Sequence, residues 1–163
     1  MWLTCAVYWS AMTLDRIDKK ILTLLQKDCR LSHQDIAERI GSSSSSVWRR
    51  IQALEDTGVI AARVALVNPA AVGLNVCVIC NVKLTHHSDE TRVEFEEMIA
   101  AIPEVTACYA VSGNHDYSMT VVVADVQAYE QFLTQRILNS HLVDAASSSF
   151  TLRTVKNTTM LDM

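Results

Sequence analysis

The chain has 163 residues, of which half are hydrophobic and a fifth are charged, and its formal net charge is −4. This length suits one ordinary domain or two small ones, and the composition supports a packed core and excludes wholesale disorder. No apolar run reaches the roughly 18 to 20 residues that a membrane-spanning helix needs, so we do not expect the chain to span a membrane.

The first residues are apolar and aromatic, but they contain no positively charged segment and no clear cleavage signal, which argues against a secretory peptide. A second methionine, Met12, precedes the first periodic pattern. We therefore interpret residues 1–12 as an N-terminal extension, either from an upstream start site or as a flexible lead, and assign it no function.

The five cysteines form an odd set without a regular framework, which favours reduced thiols in a cytoplasm. Cys77 and Cys80 have the spacing of a redox or metal pair, but they lie in a run typical of a strand. Positions i and i+3 of a strand point to opposite faces, so we interpret both as small buried hydrophobes. No metal site and no cofactor are predicted.

Charge is distributed unevenly along the chain. Residues 1–68 contain nine Lys and Arg against seven Asp and Glu, a net charge of +2. Residues 69–163 contain five against eleven, a net charge of −6. Because the local field governs phosphate binding, this asymmetry permits the first half to bind nucleic acid although the whole chain is acidic.

Helical spacing of apolar residues predicts a first helix over residues 14–27. A second helix is predicted from a cap at Ser32, with Asp35 reaching back to it, as far as Ile40. Gly41 ends this helix, because glycine most readily takes the left-handed conformation of a helix terminus.

Five serines follow at residues 42–46, and a run of this kind is also typical of a flexible linker. Here Val47, Ile51 and Leu54 give an apolar helix face immediately after it. The run is therefore better explained as a short turn and a helix cap, with the third helix beginning near Ser44 and ending at Gly58.

Residues 59–67 alternate loosely and predict a short β-hairpin, or wing, before Asn68 and Pro69 interrupt regular structure. From these patterns we predict a first domain at 13–67, a hinge linker at 68–73 and a second domain at 74–163.

The second half predicts the order β, α, β, β, α, β, which is the arrangement of a ferredoxin-like α+β sheet with both helices on one face. The predicted elements cover residues 74–84, 90–102, 105–111, 117–124, 126–138 and a strand within 143–155. The other face of such a sheet is left uncovered, so we expect a dimer formed through the sheets.

The second and third predicted helices form a helix-turn-helix whose second helix can lie in a DNA major groove. Serine hydroxyls can bond phosphates or base edges, arginines can pair with phosphate or guanine, and glutamine can read adenine. For Arg50 a position over the core edge, and for Trp48 packing in the core, remain alternatives. The candidate DNA-binding residues are Ser32, His33, Ser44, Ser45, Ser46, Trp48, Arg49, Arg50, Gln52 and Arg63.

These motifs resemble the leucine-responsive regulator/AsnC family, also called feast-or-famine regulators, over residues 14–155. The matching segments are LDRID from Leu14, IAERIG from Ile36, VWRRIQALE from Val47, GVI from Gly58 and SGNHDY from Ser112. Together they are a specific signal, although each alone is weak.

The resemblance implies a winged helix-turn-helix joined by a hinge to an amino-acid-sensing domain, with sheet-mediated dimers that commonly build an octamer. It implies that the effector binds between subunits near the loop 112–117. Gly113 would permit close backbone approach and Asp116 would receive an α-ammonium. The implied effector-binding residues are Ser112, Gly113, Asn114, His115, Asp116, Tyr117, Ser147 and Ser149.

His115 departs from the family pattern, where an aromatic residue is frequent at this position. If it lines the pocket, it can add a hydrogen bond or pH sensitivity, because histidine titrates near neutral pH. A histidine that is simply exposed on the loop remains the alternative, as does an ordinary polar strand face for the serines at 147–149.

Enzymes are the remaining class of protein to consider. His86, His87, Asp89 and Glu90 offer metal ligands, and His115 with Asp116 offers a base and a carboxylate, but neither set has a catalytic spacing. We therefore predict a cytoplasmic, nucleoid-associated DNA-binding regulator that responds to an amino acid. The alternatives are a ligand-binding oligomer without DNA binding and an amino-acid-metabolising enzyme.

Overall fold

A computed structural model describes residues 13–163, so the predicted extension at 1–12 lies outside the described residues. Their contacts divide the chain into two compact units. Unit 1 contains residues 13–65 together with Lys156–Met163, and unit 2 contains Leu66–Val155. The division falls just before the predicted linker, and the last eight residues lie with unit 1 although the predicted second domain included them.

Unit 1 is built on three helices, which confirms the predicted order of its elements. They are α1 (Arg16–Lys27), α2 (His33–Ile40) and α3 (Ser44–Asp56). A side-chain oxygen caps each N-terminus, from Asp15, Ser32 and Ser43 respectively. The apolar faces close on one core, whose buried residues are Ile21, Leu22, Ile36, Ala37, Val47, Ile51 and Leu54.

The serine run is a turn and a cap, as predicted. Gly41 adopts the left-handed conformation with φ 70° and ends α2, and the Ser42 amide donates to the Ala37 carbonyl at 3.0 Å. The Ser43 hydroxyl then accepts from the Ser46 amide at 3.2 Å and starts α3. This tight connection holds α2 and α3 as a helix-turn-helix pair.

The predicted hairpin at residues 59–67 is wrong, because the structure contains no strand there. The Ile60 amide donates to the Leu54 carbonyl at 2.9 Å, and Val59 and Ile60 pack on the unit 1 core. Residues 61–67 are exposed and have no partner strand, so their backbone forms no ladder. A 3-10 helix, Pro69–Val72, follows within the predicted linker.

Unit 2 confirms the ferredoxin-like prediction. Its elements are β1 (Val76–Leu84), α4 (Asp89–Ala100), β2 (Val105–Ala110), β3 (Tyr117–Val123), α5 (Val126–Phe132) and β4 (Val143–Phe150). The four strands are antiparallel in the order β2-β3-β1-β4. α5 continues directly into a π-helical segment, Leu133–Leu138.

One face of the sheet carries the unit 2 core. Alternate residues of β1 and β3 are buried, together with Phe95 of α4 and Tyr129 of α5. Cys80 belongs to this core, as predicted, whereas Cys77 and Ile79 lie on the opposite face of β1. Cys77 is half-buried there, not buried as predicted. Ile79 is exposed, so residues 13–163 leave this face of the sheet uncovered, and we call it the open face.

The C-terminal segment Lys156–Met163 contributes to unit 1 through a paired hydrogen bond. The Leu161 amide donates to Gln26 Oε1 at 2.7 Å, and Gln26 Nε2 donates to the Leu161 carbonyl at 3.2 Å. The primary amide of Gln26 thus pairs with the backbone of Leu161 as a neighbouring strand would. Unit 1 is therefore discontinuous in sequence.

Candidate functional site

The outer surface of α3 carries one stripe of accessible side chains, which we call the α3 face: Ser45, Trp48, Arg49 and Gln52. These positions have the spacing i, i+3, i+4, i+7 of neighbours on one side of a helix. Trp48 is 52% exposed and Arg49 is also exposed. Arg49 forms no ion pair with any residue in the range 13–163. The face therefore offers one free cation and one large apolar surface.

Arg50 does not belong to the α3 face. Its Nη1 lies 2.7 Å from Asp18 Oδ1 and 2.8 Å from Asp15 Oδ2, and its side chain is only 29% exposed. These two carboxylates raise the pKa of the guanidinium, Asp18 more than Asp15. Its charge joins α3 to the start of α1, which agrees with its alternative position over the core edge, and its contact with DNA stays a prediction.

Asp15 has two roles at the start of α1. Its Oδ1 accepts the backbone amides of Ile17 and Asp18 at 2.7 and 2.8 Å, and its other oxygen faces Arg50. The Asp18 amide contributes most to lowering the pKa of the Asp15 carboxyl, and the Arg50 hydrogen bond lowers it further. The carboxylate form thereby stabilises both the helix terminus and the α1–α3 contact.

Gln52 and Arg63 both bond to the carboxylate of Glu55, near the C-terminal end of α3. Gln52 Nε2 donates to Glu55 Oε2 at 2.9 Å, and Arg63 Nη2 donates to Glu55 Oε1 at 2.7 Å. Glu55 thus links the irregular segment 61–67 to α3. Both predicted DNA ligands reach the same end of α3, but each already has an intramolecular partner.

The remaining predicted DNA ligands of unit 1 occupy helix N-termini. Ser32 caps α2, because its hydroxyl accepts from the Asp35 amide at 3.1 Å and donates to Asp35 Oδ2 at 2.6 Å. His33 is half-buried in the first turn of α2. Ser44, Ser45 and Ser46 form the first turn of α3, where Ser45 is exposed and its neighbours are half-buried.

The predicted effector loop in unit 2 joins β2 to β3. The Val111 amide donates to the Asp116 carbonyl at 2.9 Å, and the Asp116 amide donates to the Val82 carbonyl at 2.9 Å. At the tip, Ser112, Gly113 and Asn114 are exposed. Gly113 has φ +123°, and nothing lies within 4 Å of where a Cβ would be, so backbone conformation rather than space calls for glycine here.

Asp116 anchors the base of this loop. Its Oδ2 accepts the Leu84 amide at 2.8 Å, and its Oδ1 lies 3.3 Å from His87 Nδ1. The carboxylate is 25% exposed, whereas the His87 side chain is 68% exposed. An incoming ammonium would therefore meet Oδ1 beside His87, while Oδ2 holds the end of β1.

His115 and Ser147 approach each other from the loop and from β4. His115 Nε2 and Ser147 Oγ lie 3.4 Å apart. Ser149 is exposed and pairs with Ile79, two residues further along β4 from the loop than Ser147. Both serines lie on the open face of the sheet, and the structure brings only Ser147 to the loop.

Tyr117, which was also predicted as an effector ligand, has its side chain in the unit 2 core. It is 3% exposed, and its ring lies 4.6 Å from that of Phe95 between centroids. Its hydroxyl donates to Glu96 Oε1 at 2.8 Å. As the first residue of β3, Tyr117 points to the helix face of the sheet, away from the loop tip.

Sequence reasoning missed the role of His87 at this loop, because it weighed His87 only as a metal ligand. The antiparallel pairing of β1 and β3 matches Val82 with Tyr117. Residues that follow β1 must therefore lie beside those that precede β3. The predicted ferredoxin-like arrangement therefore already indicated that His87 would lie near the loop before β3.

A membrane-spanning helix and a metal site are both absent from residues 13–163. No helix in this range is long and apolar enough to cross a membrane. No group of three or more His, Cys, Asp or Glu side chains there is placed to hold a metal ion.

Both units match known families of domains. Residues 14–61 match a family described as winged helix-turn-helix DNA-binding. Residues 77–161 match the Lrp/AsnC ligand binding domain. The two matches cover the α2–α3 pair and the sheet with its β2–β3 loop.

Other proteins are similar to this chain over nearly its whole length. The chain is 36% identical to the DNA-binding transcriptional activator DecR of Escherichia coli K12 over 91% of this chain and 97% of that protein. It is 33% identical to the leucine-responsive regulatory protein of Rhizobium meliloti, over 92% and 96% of the two chains. A transcriptional regulator from Neisseria meningitidis, solved as its L-Met complex, has a TM-score of 0.87 and 35% identity over 92% of this chain and 97% of that chain.

Proposed function

Because this chain belongs to the Lrp/AsnC family of transcriptional regulators, we propose that its α3 face reads DNA sequence and that its β2–β3 loop binds a small amino acid at a junction between subunits. Its relatives are transcriptional regulators, which are not enzymes. The proposal assigns each predicted activity to one unit of the chain.

The α3 face is the observation that carries the DNA-binding proposal. α3 is the second helix of the helix-turn-helix, and the core covers its apolar side. Its accessible side presents Arg49, which has no carboxylate partner among residues 13–163. A free arginine on such a helix can reach phosphate or guanine, whereas the guanidinium of Arg50 is already directed at two carboxylates at the start of α1. Dimers would place two such faces on half-sites about one helical turn apart, or a multiple of it.

Removal of the Arg49 charge tests this proposal. A duplex enriched from a random pool by the wild-type protein is titrated in a salt series against the wild type and Arg49→Met. We expect Arg49→Met to weaken binding and, if Arg49 contacts phosphate, to reduce the slope of log K against log salt by about 1. Equal affinity and slope for Arg49→Met and the wild type would contradict the assignment of the α3 face to DNA binding. If the wild type binds no DNA, the alternative of a ligand-binding oligomer without DNA binding would apply.

The exposed loop tip supports the effector proposal. Ser112, Gly113 and Asn114 offer backbone amides for a carboxylate, and Asp116 Oδ1 offers an acceptor for an ammonium. Because the tip is exposed within one chain, a second subunit would have to complete the site. Ser147 and His115 lie where they can add polar contacts.

Calorimetry with individual amino acids tests the effector site. L-Met comes first, because the Neisseria relative was solved with it, followed by L-Cys and L-Leu. We expect Asp116→Asn to weaken binding at least tenfold, since a hydrogen bond to a charged group contributes about 1.5–3 kcal/mol, while the amide oxygen can still hold the Leu84 amide. Asp144→Asn, an exposed carboxylate on β4, is the control. Unchanged binding by Asp116→Asn would exclude Asp116 from the site.

The proposal also includes assembly. The open face of the sheet would join two copies, and four dimers would build an octamer that wraps or bridges several half-sites in the nucleoid. Effector binding at the junctions would shift the assembly or the spacing of the DNA-binding units, which is linkage between two sites. Sedimentation of the protein with and without effector tests this, and a monomer at micromolar concentration would contradict it.

A further inference from the structure

Trp48 is the largest exposed apolar side chain on the α3 face. It is 52% exposed, and it is not among the partly buried hydrophobics that pack on the unit 1 core. Its neighbours Val47 and Ile51 are fully buried and supply the core contacts of this helix. Packing within residues 13–163 therefore does not account for an indole at this position.

The contacts of the polar side chains around Trp48 indicate what kind of group the indole can contact. Arg50 is held by α1, and Gln52 donates to Glu55. Arg49 and Trp48 are thus the two long side chains of the α3 face without a polar partner in the described part of the chain. Arg49 supplies charge for phosphate or guanine, so the indole is left to make the apolar contact.

We infer that Trp48 contacts the C5-methyl group of thymine in the major groove, so that the binding site carries a thymine at the position facing Trp48. The inference rests on the proposed function, because it requires the α3 face to lie in the groove. The thymine methyl is the one apolar group that a base pair presents in the major groove. An indole offers broad apolar surface and a single N–H donor, so it complements that methyl better than it complements a donor–acceptor pattern.

Deletion of single methyl groups tests the contact directly. Deoxyuridine replaces thymidine one position at a time in the enriched duplex, which removes only the methyl and keeps the base pair. For the wild type we expect one position in each half-site where the loss weakens binding about fourfold, which corresponds to one buried methyl group. For Trp48→Ala we expect equal affinity for the two duplexes at that position, whereas Trp48→Phe keeps part of the discrimination.

Arg49→Ala is the matched control from the same face. It should bind both duplexes more weakly and keep the wild-type ratio between them, because a charge contact does not depend on the methyl. Equal binding of every uridine duplex by the wild type would overturn the inference and leave the proposed function standing. A thymine preference that survives in Trp48→Ala would also overturn it. Absence of all DNA binding by the wild type would overturn the proposed function, and the inference with it.

Thermal unfolding separates DNA contact from a packing role. Because the indole is half exposed, Trp48→Ala should unfold close to the wild type, whereas Ile51→Ala at the adjacent core position should unfold at a much lower temperature. A loss of stability in Trp48→Ala as large as that in Ile51→Ala would assign the indole to packing, against a second copy or another part of the chain, and would overturn the inference.

Discussion

Arg49 and Arg50 are neighbours with the same charge, yet one helix step of about 100° gives them different surroundings. Arg50 faces a buried carboxylate, since the Asp18 side chain is 8% exposed, whereas Arg49 faces solvent. The same residue type therefore stabilises unit 1 at one position and remains free for a ligand at the next.

Replacement of Arg50 tests its structural role. Arg50→Met leaves the buried carboxylate of Asp18 without its cation, and we expect it to lower the free energy of unfolding by about 2 kcal/mol, less than for a fully buried pair because Arg50 is partly exposed. Arg49→Met should change it by less than about 0.5 kcal/mol. Urea unfolding measures both variants, and equal stability for the two would contradict the assignment.

The cap at Asp15 makes this contact sensitive to acid. Because the native pKa of Asp15 is lowered from 3.8, the charged form adds stability above that value, and this stability is lost as the pH falls through the lowered native pKa. Asp15→Asn keeps a capping oxygen but removes the charge. Urea midpoints from pH 2.5 to 7 should show the wild type more stable than Asp15→Asn at neutral pH, with the difference vanishing in acid. A constant difference would show that the charge is not responsible.

How far a residue's role could be predicted depended on how far away its partner lies in the chain. Periodicity placed Val47 on the core side of α3 and Trp48 on its outward side, although packing in the core remained an alternative for Trp48 until its exposure was known. The partners of Arg50 lie 32 and 35 residues earlier, so no local pattern contains them. The position of Tyr117 has a related cause: the loop motif includes it, but the alternation of β3 turns its side chain into the core.

At the scale of elements, side-chain caps set where the helices begin. Ser32 and Asp35 exchange hydrogen bonds across the first turn of α2. The hydrogen bond from the Ser32 hydroxyl is the main cause that lowers the pKa of the Asp35 carboxyl. This places α2, the support of α3, by local chemistry that can be read directly from the sequence.

Two replacements of Ser32 distinguish capping from DNA contact. Ser32→Ala removes the cap and should cost about 1 kcal/mol of unfolding free energy, while Ser32→Asn retains a capping acceptor and should stay near the wild type. Urea unfolding with a parallel DNA titration measures both effects. If Ser32→Asn lost DNA binding while keeping full stability, its hydroxyl would be a DNA contact rather than only a cap.

Elements that depend on distant contacts were not predictable in the same way. Residues 59–67 have strand-forming side chains, but a strand needs a partner, and Val59 and Ile60 pack on the helices of unit 1 instead. The change of α5 into a π-helix at Leu133 also has no local signal in the sequence. Amphipathic helices, caps and alternating strands were predictable because their chemistry is local.

At the scale of the whole molecule, the sheet of unit 2 has one face filled by α4 and α5 and one face open. On the open face, Ile79 pairs across the sheet with Thr120 and with Ser149, which gives a mixed surface of apolar and small polar groups. Such a surface suits contact with a second copy, in which small polar side chains permit close approach.

A charge on the open face should prevent the proposed dimer. Ile79→Glu places a carboxylate where the second sheet would exclude water, and we expect the mass from light scattering to fall to that of a monomer. Val93→Glu is the matched control, because Val93 is an exposed apolar residue of α4 on the helix side. An unchanged mass for Ile79→Glu would place the subunit contact elsewhere.

The pairing of Gln26 with Leu161 bears on how this protein can be recombined with its relatives. A chimera that joins the first 65 residues to the sensor of another regulator exchanges the segment opposite Gln26 as well. Its DNA-binding unit would then be a hybrid, and altered operator affinity could come from the grafted tail rather than from the new sensor. A faithful exchange of sensors must move Leu66–Val155 as an insert and keep the native residues on both sides.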